Sequence, residues 1–151
     1  MTRKVGIINS GGDCAGINAV IAAIVIAGAQ RGYAFVGFER GWEGLLDNRY
    51  MDLDPASIHA IANLGGTILH TTNRGRFGAK VGTGDTHKID PDILRLAKQN
   101  LDANDVEGLI VIGGDGTLSG ALQVADLGVP IIGVPKSIDN DLASTERTFG
   151  F

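Results

Sequence analysis

Two short segments hold the residue types of phosphate chemistry: Gly113-Gly114-Asp115-Gly116-Thr117, and Pro135-Lys136-Ser137-Ile138-Asp139-Asn140-Asp141. Leu109 to Ile112 before the first is a short apolar, β-branched run, the pattern of a buried strand, and a helix fits Leu118 to Ala125 after it. A glycine-rich turn between strand and helix brings bare backbone N–H groups to a helix N-terminus, where phosphate is stabilised. Asp115 within that turn repels phosphate, so Mg²⁺ bridging Asp115 to a polyphosphate is the natural reading. A second strand, Ile131 to Val134, delivers Lys136, Ser137, Asp139 and Asp141 to its carboxyl end, where open α/β sheets bind ligands. Each segment alone has an ordinary reading. Gly and Asp are common in turns, and Asp139 and Asp141 around Asn140 would serve an Asx-turn. Two phosphate-type turns on successive strands favour function.

The elements that must position these turns are legible along the chain. Val5 to Asn9 reads as a first strand that exits through Ser10-Gly11-Gly12-Asp13. A helix from Ile17 to Gln30 follows, apolar nearly all round and therefore expected to be buried. Ala34 to Phe38 is a second strand, and Gly41 to Leu46 a loop with apolar anchors in which Trp42 packs. Asp54-Pro55 and Asp90-Pro91 each pair an N-cap with proline at the first helical position, predicting helices over Ala56 to Asn63 and to about Leu101. Between them, Gly66 to Lys88 is polar and glycine-rich and carries Arg74, Arg76 and Lys80. A loop of that length in a compact domain is usually functional or mobile. His59, His70 and His87 have no metal-ligand spacing, and Cys14 has no evident nearby base.

With 151 residues, 44% of them apolar, the chain can build one α/β domain with a core. A formal charge of −4 without a basic run argues against nucleic acid and anionic membranes as partners. Cys14 is the sole cysteine, which suits a reducing cytoplasm, and neither a signal peptide nor a bilayer-length apolar stretch is evident.

Gly11-Gly12-Asp13, Gly113 to Thr117 and Pro135 to Asp141, in that order, resemble the signatures of the 6-phosphofructokinase family, and the likeness runs from Lys4 to Phe151. The resemblance implies a three-layer, Rossmann-like parallel sheet with helices on both faces. It implies that residues 1–151 are the phosphate-donor domain, ending at or just past its boundary, without the second, sugar-phosphate domain. It implies ATP- and Mg²⁺-dependent phosphorylation of fructose 6-phosphate at O1, giving fructose 1,6-bisphosphate in glycolysis, by a homo-oligomer (dimer or tetramer).

Residue by residue, the resemblance makes Asp139 the base in a catalytic set with Lys136, Ser137 and Asp141, with Ser137 and Ile138 beside the substrate and Asp141 orienting the loop or an arginine partner. Gly11, Gly12, Gly114, Gly116 and Thr117 would line the donor site, and Asp115 would hold Mg²⁺. The family's donor arginine stands in GT-x-L-x-x-x-R. Here Asn73 occupies that place and Arg74 follows one position later, so Arg74 is assigned and Asn73 and Arg76 stay alternatives. Gly116 is the mark of ATP enzymes and Lys136 that of pyrophosphate enzymes. The absent side chain at Gly116 carries more weight, which places ATP first and pyrophosphate second. The family's effector arginines are replaced by Ala22, Ile26 and Pro55, so that regulatory site is expected to be missing. Two other readings remain: a NAD-kinase-like or lipid-kinase-like enzyme, which would share GGDGT but lack the SIDND loop, and a non-catalytic phosphate-binding fragment.

Overall fold

A computed structural model describes residues 2–77 and 88–151. Lys80 and His87 lie outside the described residues. The order of elements is β1 (Arg3–Asn9), α1 (Ile17–Ala29), β2 (Tyr33–Phe38), α2 (Trp42–Leu46) and β3 (Tyr50–Leu53), then a 3-10 turn (Ile58–Ile61). There follow α3 (Pro91–Ala103), β4 (Val106–Gly113), α4 (Asp115–Ala125) and β5 (Ile131–Pro135). The sheet runs β3-β2-β1-β4-β5. β1, β2, β4 and β5 are parallel, and β3 joins β2 antiparallel.

Alternation along the strands sorts the core into two layers. Ile8, Val36, Phe38, Leu109 and Val111 face one side, packed with Leu45, Ala97, Leu101, Ala121 and Val124 of α2, α3 and α4. Ile7, Phe35 and Ile112 face the other, against Ile17, Ile21 and Val25 of α1 and against Ile58 and Leu69. Helices on both faces of an α/β sheet are therefore present, as the sequence implies. In chain order β1 leads outward to β2 on one side, while β4 and β5 lie on the other. The topological switch point thus falls between β1 and β4, which is where this architecture opens a crevice.

Several local expectations change. α1 is buried on one face only: Ile17, Ile21, Ala22 and Val25 are inside, whereas Ala23 and Ala27 are exposed. The 56–63 region forms a turn and the 3-10 stretch instead of an α-helix. Asp54 still caps it, its Oδ1 accepting from the Ala56 N–H at 3.0 Å. Only Ile58 of that stretch is fully buried, with Ile61 half-buried against the core, too little burial to offset the cost of nucleating a helix. The 41–46 loop contains the short α2. β3 escaped notice because three of its four residues are exposed, leaving no apolar pattern. α4 starts at Asp115, three residues before the first apolar position, because the glycine turn itself forms its first turn; the Leu118 N–H reaches Gly114 O at 2.9 Å.

Asp90 does what its Asp-Pro pairing predicts: Oδ1 accepts from the Asp92 N–H at 2.8 Å with Pro91 opening α3. Asp90→Ala is expected to lower unfolding free energy by about 1 kcal/mol. A denaturant midpoint that does not move would show that this cap contributes nothing.

Candidate active site

Segments 10–13, 114–117 and 136–142 leave the carboxyl ends of β1, β4 and β5, and all of their residues except Asn140 line one cleft of about 450 Å³ together with residues 72–75. Backbone bonds fix their mutual placement. The Ser10 N–H donates to Ile112 O at 3.1 Å, and the Lys136 N–H donates to Gly113 O at 3.0 Å. Gly113 has to be glycine, because a Cβ there would stand 2.5 Å from Cβ of Thr117, which is buried under the turn. α4 begins at Gly114 with no side-chain cap, so its first N–H groups are available to an anion in the cleft.

Lys136 is only 6% exposed, and its Nζ donates to Gly12 O, tying the β5 exit to the β1 turn. It therefore lies beneath the glycine turns of the cleft wall. Ser137 Oγ donates to Asp141 Oδ1 at 2.6 Å and accepts from the Asp139 N–H at 3.1 Å, closing the loop on itself. The Asp139 side chain makes no hydrogen bond or ion pair among the described residues, and Ile138 beside it is 61% exposed at the cleft. Gly11, Gly12, Gly114, Asp115, Gly116 and Thr117 all line the same cleft.

Arg74 also lines it, and its backbone is held through Thr72 Oγ1, which donates to Arg74 O at 2.9 Å. Arg76 does not: its guanidinium is engaged by Glu43 Oε2 at 3.0 Å and Asp47 Oδ1 at 2.5 Å. Glu43 Oε1 also accepts the Arg76 N–H at 2.6 Å, and Gly75, at the glycine-favouring φ of 144°, packs directly on the Glu43 carboxylate, which a Cβ there would displace. Arg76 and Glu43 thus pin the segment while leaving the Arg74 guanidinium without a partner among the described residues. Asn73 reaches the cleft as well.

Glu43 was not singled out from the sequence, and neither was Asn18. Asn18 is 2% exposed in α1; its Oδ1 accepts from the Ile68 N–H at 2.7 Å and its Nδ2 donates to Leu64 O at 3.2 Å. It braces the 64–68 segment, which continues to Thr72, whose carbonyl accepts from the Gly11 N–H at 3.1 Å. The available signal was one amide at the start of an otherwise apolar helix. Trp42 stacks on Phe77 with centroids 4.5 Å apart, and both rings are buried, which supports packing as its main role. Burial raises the Cys14 thiol above its ordinary range, outweighing the nearby Lys136 charge, so the group is a protonated thiol at neutral pH.

The residues fit a magnesium ion. Asp115 stands exposed at the first position of α4, and its carboxylate has no hydrogen bond or ion pair among the described residues. Mg²⁺ is commonly held by one or two carboxylates plus substrate phosphates, and Asp115 stands beside the uncapped N-terminus of α4 where such a phosphate would sit. Among the described residues no group of three His, Cys, Asp or Glu side chains forms a metal cage, and no helix is long and apolar enough to cross a membrane.

Comparisons with known proteins cover nearly the whole chain. The family model described as phosphofructokinase matches residues 4–151. The ATP-dependent 6-phosphofructokinase of Chloroflexus aggregans is 43% identical over 150 residues, covering 99% of this chain and 41% of that protein. The pyrophosphate–fructose 6-phosphate 1-phosphotransferase of Streptomyces coelicolor is 46% identical, with coverage of 98% and 41%. The crystal structure of Pichia pastoris phosphofructokinase superposes with a TM-score of 0.87 at 28% identity, over 99% of this chain and 17% of that one. The chain spans about two-fifths of the length of the curated relatives. It belongs to the phosphofructokinase family.

Proposed function

We propose that the complete polypeptide carrying these residues transfers the terminal phosphate of ATP to O1 of fructose 6-phosphate. The observation that carries this is the convergence of the three glycine and carboxylate loops on one cleft at the switch point. Phosphoryl transfer asks the protein mainly for positioning and charge neutralisation. The N–H groups opening α4 and the glycines of the β1 exit cradle the donor phosphates, with Thr117 beside them and Arg74 contributing positive charge. Asp115 would hold Mg²⁺, which when bound offsets the negative charge of the polyphosphate. Asp139 accepts the proton of the attacking hydroxyl, and Ser137 and Ile138 bound the acceptor side. Asp141 holds Ser137, and Lys136 holds the Gly12 turn. A cytoplasmic, homo-oligomeric enzyme of glycolysis belongs to the same reading. Residues 1–151 by themselves would bind donors weakly without turning over, since the cleft they form holds the donor side and the base while, by resemblance, most contacts to fructose 6-phosphate come from a second domain.

Pyrophosphate is the second reading for the donor, favoured by the Streptomyces coelicolor relative and by Lys136. Gly116 supports ATP, because the absence of a side chain leaves room for a nucleotide beside the α4 N-terminus. The test is initial rates of the complete polypeptide with each donor at saturating fructose 6-phosphate. A higher kcat/KM with ATP is expected; turnover with pyrophosphate alone would contradict the assignment.

A further inference from the structure

Thr148 has no part in the assignments above, yet it is 1% exposed and touches the catalytic loop on both sides of Asp139. Its Oγ1 donates to Ser137 O at 2.7 Å. Its backbone N–H donates to Asn140 Oδ1 at 2.8 Å. Oγ1 also lies 3.3 Å from Asn140 Oδ1. A hydroxyl has one proton and an amide oxygen has none, so the shorter contact to Ser137 O takes the proton and the backbone N–H satisfies Asn140. Asn140 in turn donates through Nδ2 to Glu146 O at 3.2 Å. Its φ is 52°, a left-handed conformation that asparagine tolerates better than most side chains. The Ser137 N–H donates to Phe149 O at 3.3 Å, and Lys136 pairs with Phe149 as a parallel bridge.

The loop is therefore fastened at Ser137 and at Asn140 to one buried residue, while the Asp139 side chain between them is held by nothing of its own. We propose that Thr148, acting through Ser137 and Asn140, is the positioning residue that sets the Asp139 carboxylate. This rests on Asp139 being the base in the reading above. Misplacing a reacting group by about 1 Å can cost on the order of 10²-fold in rate. Donor binding depends on the β1 and α4 turns and does not pass through Thr148.

The experiment is steady-state kinetics of the complete polypeptide bearing Thr148→Val, which keeps the shape and removes the hydroxyl, and Thr148→Ser, which restores it. Thr148→Val is expected to lose about 10- to 100-fold in kcat with the KM for ATP within about twofold, and Thr148→Ser to recover most of the rate. Asn140→Gly keeps the left-handed backbone and removes the side-chain contacts. It should lose a similar factor, and combining it with Thr148→Val should cost little more than either alone. This second variant decides the matter if Thr148→Val does not fold. An undiminished kcat in Thr148→Val or Asn140→Gly, additive losses in the double variant, or failure of serine to restore the rate overturns the inference. Should Asp139→Asn turn over normally, the assignment of the base fails instead, which separates the two claims.

Discussion

Asp139→Asn in the complete polypeptide is expected to lower kcat by about 10²–10⁴-fold, the usual worth of a positioned general base. The substitution keeps the size and planarity of the side chain and removes only its ability to take a proton. It leaves the Asp139 N–H, which donates to Ser137 Oγ, and the Ser137–Asp141 contact untouched. Loop geometry should therefore survive, and the KM for fructose 6-phosphate should stay near normal. The loss would lie in kcat and kcat/KM together, as for an interaction made only in the transition state. Stopped or continuous assays at saturating sugar phosphate measure it directly. A variant with undiminished kcat would remove Asp139 from the mechanism.

Asp115→Asn is the second large effect. The asparagine keeps the first position of α4 and sacrifices the negative charge that suits a divalent cation. Loss of one preorganised charge-stabilising group typically costs about 10²–10³-fold in kcat. The Mg²⁺ concentration for half-maximal rate should rise at the same time, because a neutral amide is a poorer ligand for a hard cation. Titrating Mg²⁺ against rate at fixed ATP separates this from a folding defect. An unchanged magnesium dependence would move the metal away from Asp115.

How much of this was legible in the sequence follows from where the signals are local. β1 and β4 and their glycine exits were readable because buried parallel strands are continuous apolar runs, and β5, an apolar run although it is half-exposed at the sheet edge, was marked by the polar loop that follows it. Asp115, Lys136 and Asp139 could be named for the same reason. β3 and the 3-10 turn at Ile58 were not readable, since their place depends on what they pack against and not on their own pattern. Asn18 acts through contacts with residues some 50 positions away, and the contacts of Thr148 to Ser137 and Asn140 follow from how the 137–148 loop folds back, so neither residue's own neighbourhood announced it. Arg74 and Arg76 were indistinguishable by type. The positions of Glu43 on α2 and of Asp47 just beyond it separate the pinned arginine from the one lining the cleft.

The central claim is a phosphoryl transfer to one hydroxyl of fructose 6-phosphate, and phosphorus NMR of the reaction observes that step itself. The complete polypeptide, incubated with fructose 6-phosphate, ATP and Mg²⁺, should produce ADP and a new phosphomonoester resonance at the 1-position in equal amounts. Residues 1–151 alone should produce neither. Release of inorganic phosphate without the 1-phosphate signal, or phosphate appearing on a different hydroxyl, would contradict the account.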